Sequence, residues 1–288
     1  MYASVVTKDP TAVEVEVQAA YLEMFPRADK LFIPQIFGWA IDCFTGQYED
    51  YQPIDAQYHD FEHTLQGALC MGRLLRGRHF AKTDPAVPEI LFQLGMIAIL
   101  FHDTGYLKQT GDIEGTGAKY TLVHVRRSAD FAAVFLKEKH FSATDILAVQ
   151  NMILCTGLNA PLNQIPFQSD LEKIVGFALG TADLLGQMGA DDYVDKLPVL
   201  YSEFAEAAKH EKERANVLGM FSSADDLKRK TPDFWEKYVQ AKLTRDFGGL
   251  YRFCNHPYPF GPNYYWQRIE ANMERLRREM AAKPKTVS

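Results

Sequence analysis

Three short stretches of this sequence carry imidazole and carboxylate side chains at spacings that let them share one cation. They are Tyr58-His59-Asp60-Phe61-Glu62-His63, Ile99-Leu100-Phe101-His102-Asp103-Thr104-Gly105 and Leu179-Gly180-Thr181-Ala182-Asp183. His102-Asp103 carries the most information because it closes the apolar run from Ile90 to Phe101. A carboxylate buried without a partner costs several kcal/mol, and a divalent cation would remove that cost while taking both side chains as ligands.

His59 and His63 are four residues apart, so on a helix their rings share one face about 6 Å from each other. If the helix starts later, His59 sits on the entering loop above the same face. His102 and Asp103 are adjacent and would diverge by about 100° on an ideal helix. They can share a cation near a helix end, and Gly105 supplies that end. Asp183 enters from a separate segment. Two neutral imidazoles and two carboxylates form a mixed N/O set suited to iron, manganese, cobalt, nickel or zinc, with magnesium a further option. Four such ligands leave two open positions in an octahedral sphere, as catalysis requires. Taken singly, each residue has a plainer reading: His102 as a cation at a helix C-terminus, Asp183 as a paired or capping acid.

Helical periodicity dominates the chain, so helices must position these side chains. The pattern predicts helices over Thr11–Phe25 and Leu31–Phe44, broken near Pro26 and closed near Gly46. Gly46–Tyr58 is polar and reads as a loop. His63–Leu75 carries Leu65, Ala68, Leu69, Met71, Gly72 and Leu75 at helical spacing. Pro88 suits a first helical turn, and Glu89–His102 is nearly all apolar and therefore central. A glycine-rich loop separates it from a helix over Tyr120–Leu136. Ser142 starts a helix toward Cys155, and Ser169 or Asp170 caps the one bearing Asp183. Further helices are predicted over Pro198–Ala215, Pro232–Arg245 with Thr231 as cap, and Tyr264–Ala281. Alternating β-branched runs are nearly absent, so the fold class is all-α.

The chain has 288 residues, 47% of them apolar, enough to bury a full core. A net charge of -6 argues against a nucleic-acid polymer as partner, because such binding needs clustered Lys and Arg. The four cysteines are widely spaced with no CxxC pair, which suits a reducing cytoplasm. Met1–Pro10 lacks the basic and apolar regions of a signal peptide, and the longest apolar run is too short to span a bilayer. The reading is a cytoplasmic protein without a membrane partner.

The order His63, His102-Asp103, Asp183, each on its own helix, resembles the HD-domain superfamily of metal-dependent phosphohydrolases. Tyr58-His59 ahead of His63, and Ile97-Ala98 ahead of His102-Asp103, also look like the cyclic-nucleotide phosphodiesterase branch. The resemblance covers roughly Tyr58 to Met188. It implies a helical bundle with additional N- and C-terminal helices: N-terminal helices over 1–50, an HD-type core over 51–190, and a C-terminal extension of the same domain over 191–288. It implies metal ligation by His63, His102, Asp103 and Asp183, and proton donation from His59 to the leaving oxygen. Asp60 stands where that branch has asparagine, and Gly105-Tyr106-Leu107 where it has His-Pro-Gly, which argues against cyclic-nucleotide specificity. HD proteins with two metals add histidines before the last aspartate. His124 is placed for one, as a ligand to a second ion or a hydrogen-bond partner of the first site, but the next helix offers no second histidine.

The activity so implied is hydrolysis of a phosphomonoester or phosphodiester in a small nucleotide-like substrate by a metal-activated water. Asp103 or Asp183 would orient that water. His59, or alternatively Lys108, would protonate the leaving oxygen, and Arg126 or Arg127 would bind phosphate. Two competing readings share the fold. A diiron oxygenase needs one more histidine ligand than the sequence offers, and a non-catalytic signalling module would be expected to have lost ligands. The apolar and aromatic C-terminal third leaves room for a homodimer.

Overall fold

The computed structural model describes residues 4–157, 160–210 and 221–282. Ten α-helices occupy most of them: α1 (Pro10–Met24), α2 (Phe32–Phe44), α3 (Phe61–Phe80), α4 (Glu89–Phe101), α5 (His124–Glu138), α6 (Ala143–Ile153), α7 (Asp170–Met188), α8 (Tyr193–His210), α9 (Ala224–Phe234) and α10 (Tyr264–Ala282). Extended pairing among the described residues is limited to two isolated bridges, Tyr51 with Gln109 and Asn255 with Asn263. The protein is all-α.

Short polar side chains set most helix starts. Asp9, Asp60, Ser142, Ser169 and Ser223 each accept a backbone N–H from the first turn of α1, α3, α6, α7 and α9. This is the ordinary N-cap bond, worth about 1 kcal/mol. Asp60 therefore has a structural task that explains an acid at that position. It accepts from His63 N at 2.9 Å and so fixes where α3 begins, two residues after His59.

Helices α3, α4 and α7 form the centre. α4 is apolar apart from Glu89 and Gln93, and its side chains from Leu94 to Phe101 are all buried. α3 and α7 pack along their lengths, and they touch backbone to backbone at Gly186, where a Cβ would stand 2.8 Å from the Gln66 carbonyl. Gly186 lies one turn beyond Asp183 and Gln66 one turn beyond His63. Gly67, the next residue of α3, faces Asp183, whose Cα would stand 4.0 Å from a Cβ there. α1 and α2 cover α3 and α4 from one side, α5 and α6 cover α4 from another, and α10 packs against α7 and α9.

Several boundaries differ from those read in the sequence. α3 continues to Phe80 rather than ending at Leu75, with Arg78 and His79 in its last turn complementing the helix dipole. α5 starts at His124 rather than Tyr120, because Gly117–Tyr120 forms a separate 3-10 turn. α8 starts at Tyr193 rather than Pro198. Burial of Tyr193, Val194 and Leu197 holds its first turn although Pro198 cannot donate a backbone bond. Its expected end at Ala215 lies outside the described residues. Thr231-Pro232, expected to open a helix, falls inside α9, where the Thr231 hydroxyl bonds back to Leu227 O at 2.8 Å. The chain then widens into π-helical turns at Trp235–Val239 and Lys242–Asp246. No helix among the described residues is long and apolar enough to cross a membrane.

Candidate metal centre

His63, His102 and Asp103 come together as one buried group whose ligand atoms all lie within 4.8 Å of one another. His63 projects from the first turn of α3. His102 caps the C-terminus of α4, and Asp103 has already left helical geometry with φ -110° and ψ 8°. That departure lets two adjacent side chains converge, as a helix end was expected to do. The 3-10 turn Thr104–Tyr106 follows at once.

His63 Nε2 is 3.2 Å from Asp103 Oδ2 and 3.3 Å from Asp183 Oδ1. His102 Nε2 is 3.3 Å from Asp103 Oδ2 and 3.6 Å from Asp183 Oδ1. Ligands about 2.1 Å from one transition metal are separated by about 3.0 Å in an octahedron and about 3.4 Å in a tetrahedron. The His63–Asp103 and His102–Asp103 separations fall in that range, and Asp183 Oδ1 stands 3.3 and 3.6 Å from the two imidazoles.

Two of these atoms, His102 Nε2 and Asp103 Oδ2, are buried and lack a hydrogen-bond partner. Buried polar atoms are nearly always satisfied, so a facing pair of orphans calls for a ligand. His102 Nδ1–H donates to Ile99 O at 2.7 Å, which leaves Nε2 with its lone pair toward the group. Fixing the tautomer through the second nitrogen is how metal-binding imidazoles are held. Asp183 Oδ1 also accepts from Gln187 Nε2 at 3.1 Å, one helical turn on.

The buried charges of the group offset one another. Burial would raise the Asp103 and Asp183 pKa values, but the adjacent imidazoles of His102 and His63 hold both carboxyls well below the usual carboxylate range. Burial would lower that of His63, yet Asp103 and Asp183 push it up to about 10. His102 is raised by the same two carboxylates against its own burial.

His124 stands just outside this group. Its Nε2 is 3.8 Å from Asp103 Oδ1, the oxygen turned away from His63 and His102. Its Nδ1–H donates to Thr121 O at 2.7 Å, the same tautomer-fixing arrangement as in His102. Burial pulls its pKa down to about 4, so it is a neutral imidazole with a free lone pair.

His59 lies on the loop before α3, its ring 5.5 Å from that of His63 and stacked 4.5 Å from Tyr106. Its Nδ1–H donates to Glu203 Oε2 at 2.6 Å. Glu203, on α8, is buried and also accepts from Gln57 N and Tyr58 N, both at 2.8 Å. Glu203, Tyr106 and Gln187 are the residues that sequence reasoning missed. Nothing in the local sequence around Glu203 marks it, because its partner is 144 positions away.

The other expected site residues are engaged elsewhere. Lys108 donates to Gly115 O at 2.6 Å and pairs with Asp55 at 2.8 Å, so its ammonium braces a loop. Arg127 donates to Gly105 O at 2.8 Å and Leu107 O at 3.0 Å, and its guanidinium lies 3.5 Å over the Tyr120 ring. It holds the turn that carries Asp103. Arg126 pairs with Asp130 at 3.2 Å on a face where its side chain is 73% exposed. A gap of about 10 Å³ beside His63, walled by Tyr58, Gln66, Gln187, Tyr193 and Lys196, has room for about one water.

The family profile described as Npun_R2479-like matches residues 11–250, most of the chain. The chain belongs to the Npun_R2479-like family. The span shared with that family contains His59, the four donors of the cluster, His124 and Glu203, and stops before α10. No curated protein matches the chain.

Proposed function

We propose that this Npun_R2479-like protein is a metal-dependent phosphohydrolase of HD-domain type, acting on a phosphomonoester or phosphodiester of a small nucleotide-like substrate. The observation that carries the reading is the pair of orphaned buried atoms, His102 Nε2 and Asp103 Oδ2, inside the buried His63–His102–Asp103 group. His63, His102, Asp103 and Asp183 would hold a divalent transition metal. When bound, such an ion supplies an activated water and a Lewis acid for the phosphoryl oxygens.

The chain's own residues do the rest. Gln187 orients Asp183 through their 3.1 Å bond. Glu203 fixes the His59 ring by its Nδ1–H, so that Nε2 is the nitrogen free to give a proton to the leaving oxygen. With Lys108 and Arg127 committed to the backbone, His59 is the one proton donor retained from the sequence reading. The four cysteines are buried and unpaired, which supports a reducing, cytoplasmic location.

A second reading, with two metals, is favoured by His124. Its Nε2 lies 3.8 Å from Asp103 Oδ1, so it would supply a donor to a second ion beside the first. Two irons would also suit dioxygen chemistry.

Elemental analysis of wild type beside Asp103→Ala, with turnover of bis-p-nitrophenyl phosphate and p-nitrophenyl phosphate, tests the proposal. The expected result is about one transition metal per chain, absent from the variant, with turnover that follows the metal. Two irons and oxygen uptake would replace the hydrolase with an oxygenase. Absence of metal after reconstitution with manganese and iron would refute both.

A further inference from the structure

The opposite end of α3 holds a charge that the cluster does not explain. Arg78, in the last turn, is 3% exposed. Its guanidinium donates to Pro85 O at 2.8 Å, and no carboxylate of the described residues lies within the 4.0 Å of an ion pair. Asp84 is near enough to favour the charged form but not to pair with it. A guanidinium keeps its proton and presents five donors in a planar fork. With one carbonyl partner, Arg78 has donors left over for a ligand.

Beside this guanidinium lies a cavity of about 280 Å³, formed by the last turn of α3 and the loop that folds back over it. Lys82 and His79 add positive or protonatable groups to its lining, and Thr83 adds a hydroxyl. Leu75 and Val87 supply apolar wall. Lys82 has φ 52°, a left-handed conformation that turns the chain back across the helix end. Asp84 is the one acidic residue of the lining. A planar fork with apolar wall around it matches an oxyanion carrying a small apolar part. The volume is at the small end for ligand pockets, which excludes a whole nucleotide.

We propose that this cavity is a second ligand site, which takes a small oxyanion, phosphate or short-chain carboxylate, on the Arg78 fork. It is separate from the histidine cluster. Arg78 is fifteen positions along α3 from His63, or about 22 Å at the helical rise. It does not depend on the hydrolase reading.

The test uses the full chain stripped of metal with a chelator, so that a phosphate has no ion to bind. Inorganic phosphate and butyrate are each titrated by calorimetry at constant ionic strength. Wild type is compared with Arg78→Met, with Lys82→Glu and with Ala86→Trp. The last two change exposed residues, so they report on the pocket even if Arg78→Met fails to fold. Saturable binding of at least one probe is expected, weakened about tenfold or more by Lys82→Glu and Ala86→Trp. Saturation by phosphate alone would mark a phosphorylated ligand, and by butyrate alone a carboxylate. Lack of saturation with either probe, or binding that survives the Lys82 and Ala86 substitutions, would overturn the proposal.

Discussion

His59 Nδ1 and Glu203 Oε2 stand 2.6 Å apart, joining the loop ahead of α3 to the middle of α8. The same carboxylate takes the backbone N–H groups of Gln57 and Tyr58, so Glu203 holds both the ring and the loop that carries it. Buried and fully bonded, it positions His59 without reaching the donor cluster itself.

Glu203→Gln keeps the size of the side chain and an oxygen for the backbone donors, but removes the charge that His59 faces. Turnover should fall about 100-fold, the range of a lost acid–base contribution, while metal content is unchanged. Steady-state kinetics should show the loss in kcat rather than KM. An equal loss of metal would mean that His59 is a ligand and not a proton donor.

Metal removal should lower stability measurably. An ion held at about 100 times its Kd adds about 2.7 kcal/mol by mass action. Chelation should therefore drop the Tm of wild type by several degrees and leave that of His102→Ala unchanged. A scanning calorimetry series over metal concentration checks both statements.

The metal-free protein should have a stability maximum near neutrality. His124 is depressed to about 4 in the folded state, so between pH 4 and the ordinary histidine value the unfolded chain binds the extra proton. Stability then rises with pH across that interval. His63, raised to about 10, contributes stability below its unfolded value that is lost as pH climbs through 10. Asp103 and Asp183 act in the other direction. Their folded values are depressed, so their contribution disappears only as pH falls below the usual carboxylate range. Metal loading replaces the His63 proton and should flatten the alkaline limb. Urea unfolding at a series of pH values, with and without metal, reads each limb.

Gly105→Ala should disturb the centre from outside it. A Cβ there would collide with the His124 carbonyl and stand 2.8 Å from Ser128 Oγ, which accepts from Gly105 N. The backbone at the start of α5 cannot yield as a side chain would. A loss of about 2 kcal/mol is expected, together with weaker metal binding. Ser128→Ala, which removes the hydroxyl but leaves the glycine, should cost less, about 1 kcal/mol.

His124→Ala separates one metal from two. With a single ion at the inner donors, metal content stays at about one per chain and activity falls only modestly. A drop from two ions to one would establish the second ion beside the first. Elemental analysis of the two proteins under identical loading decides it.

The helices and their buried faces were legible in the sequence because amphipathic period and cap residues are local properties. Ser142 and Ser169 cap helices close to where their spacing suggested. His63, His102 and Asp103 were legible as a candidate group for the same reason: each is a strong ligand type on or beside an apolar helix. Boundaries failed where packing outweighed local preference, as at Pro198, which sits inside α8 because its neighbours are buried.

Long-range partners belong to another level. Arg127 and Lys108 have the charge that phosphate binding wants, yet the fold uses them to satisfy carbonyls of the loop between Asp103 and His124. Glu203 and Gln187 look like ordinary polar helix residues until α8 and α7 are placed beside the cluster. Residue types and periodicity determine which side chains can ligate and which face each helix buries. The meeting of His63 with Asp183 depends instead on two helices crossing at Gly186, where the absence of a Cβ lets the backbones touch. Periodicity records that a face is buried but not what buries it, so the convergence of these residues is a property of the packed chain.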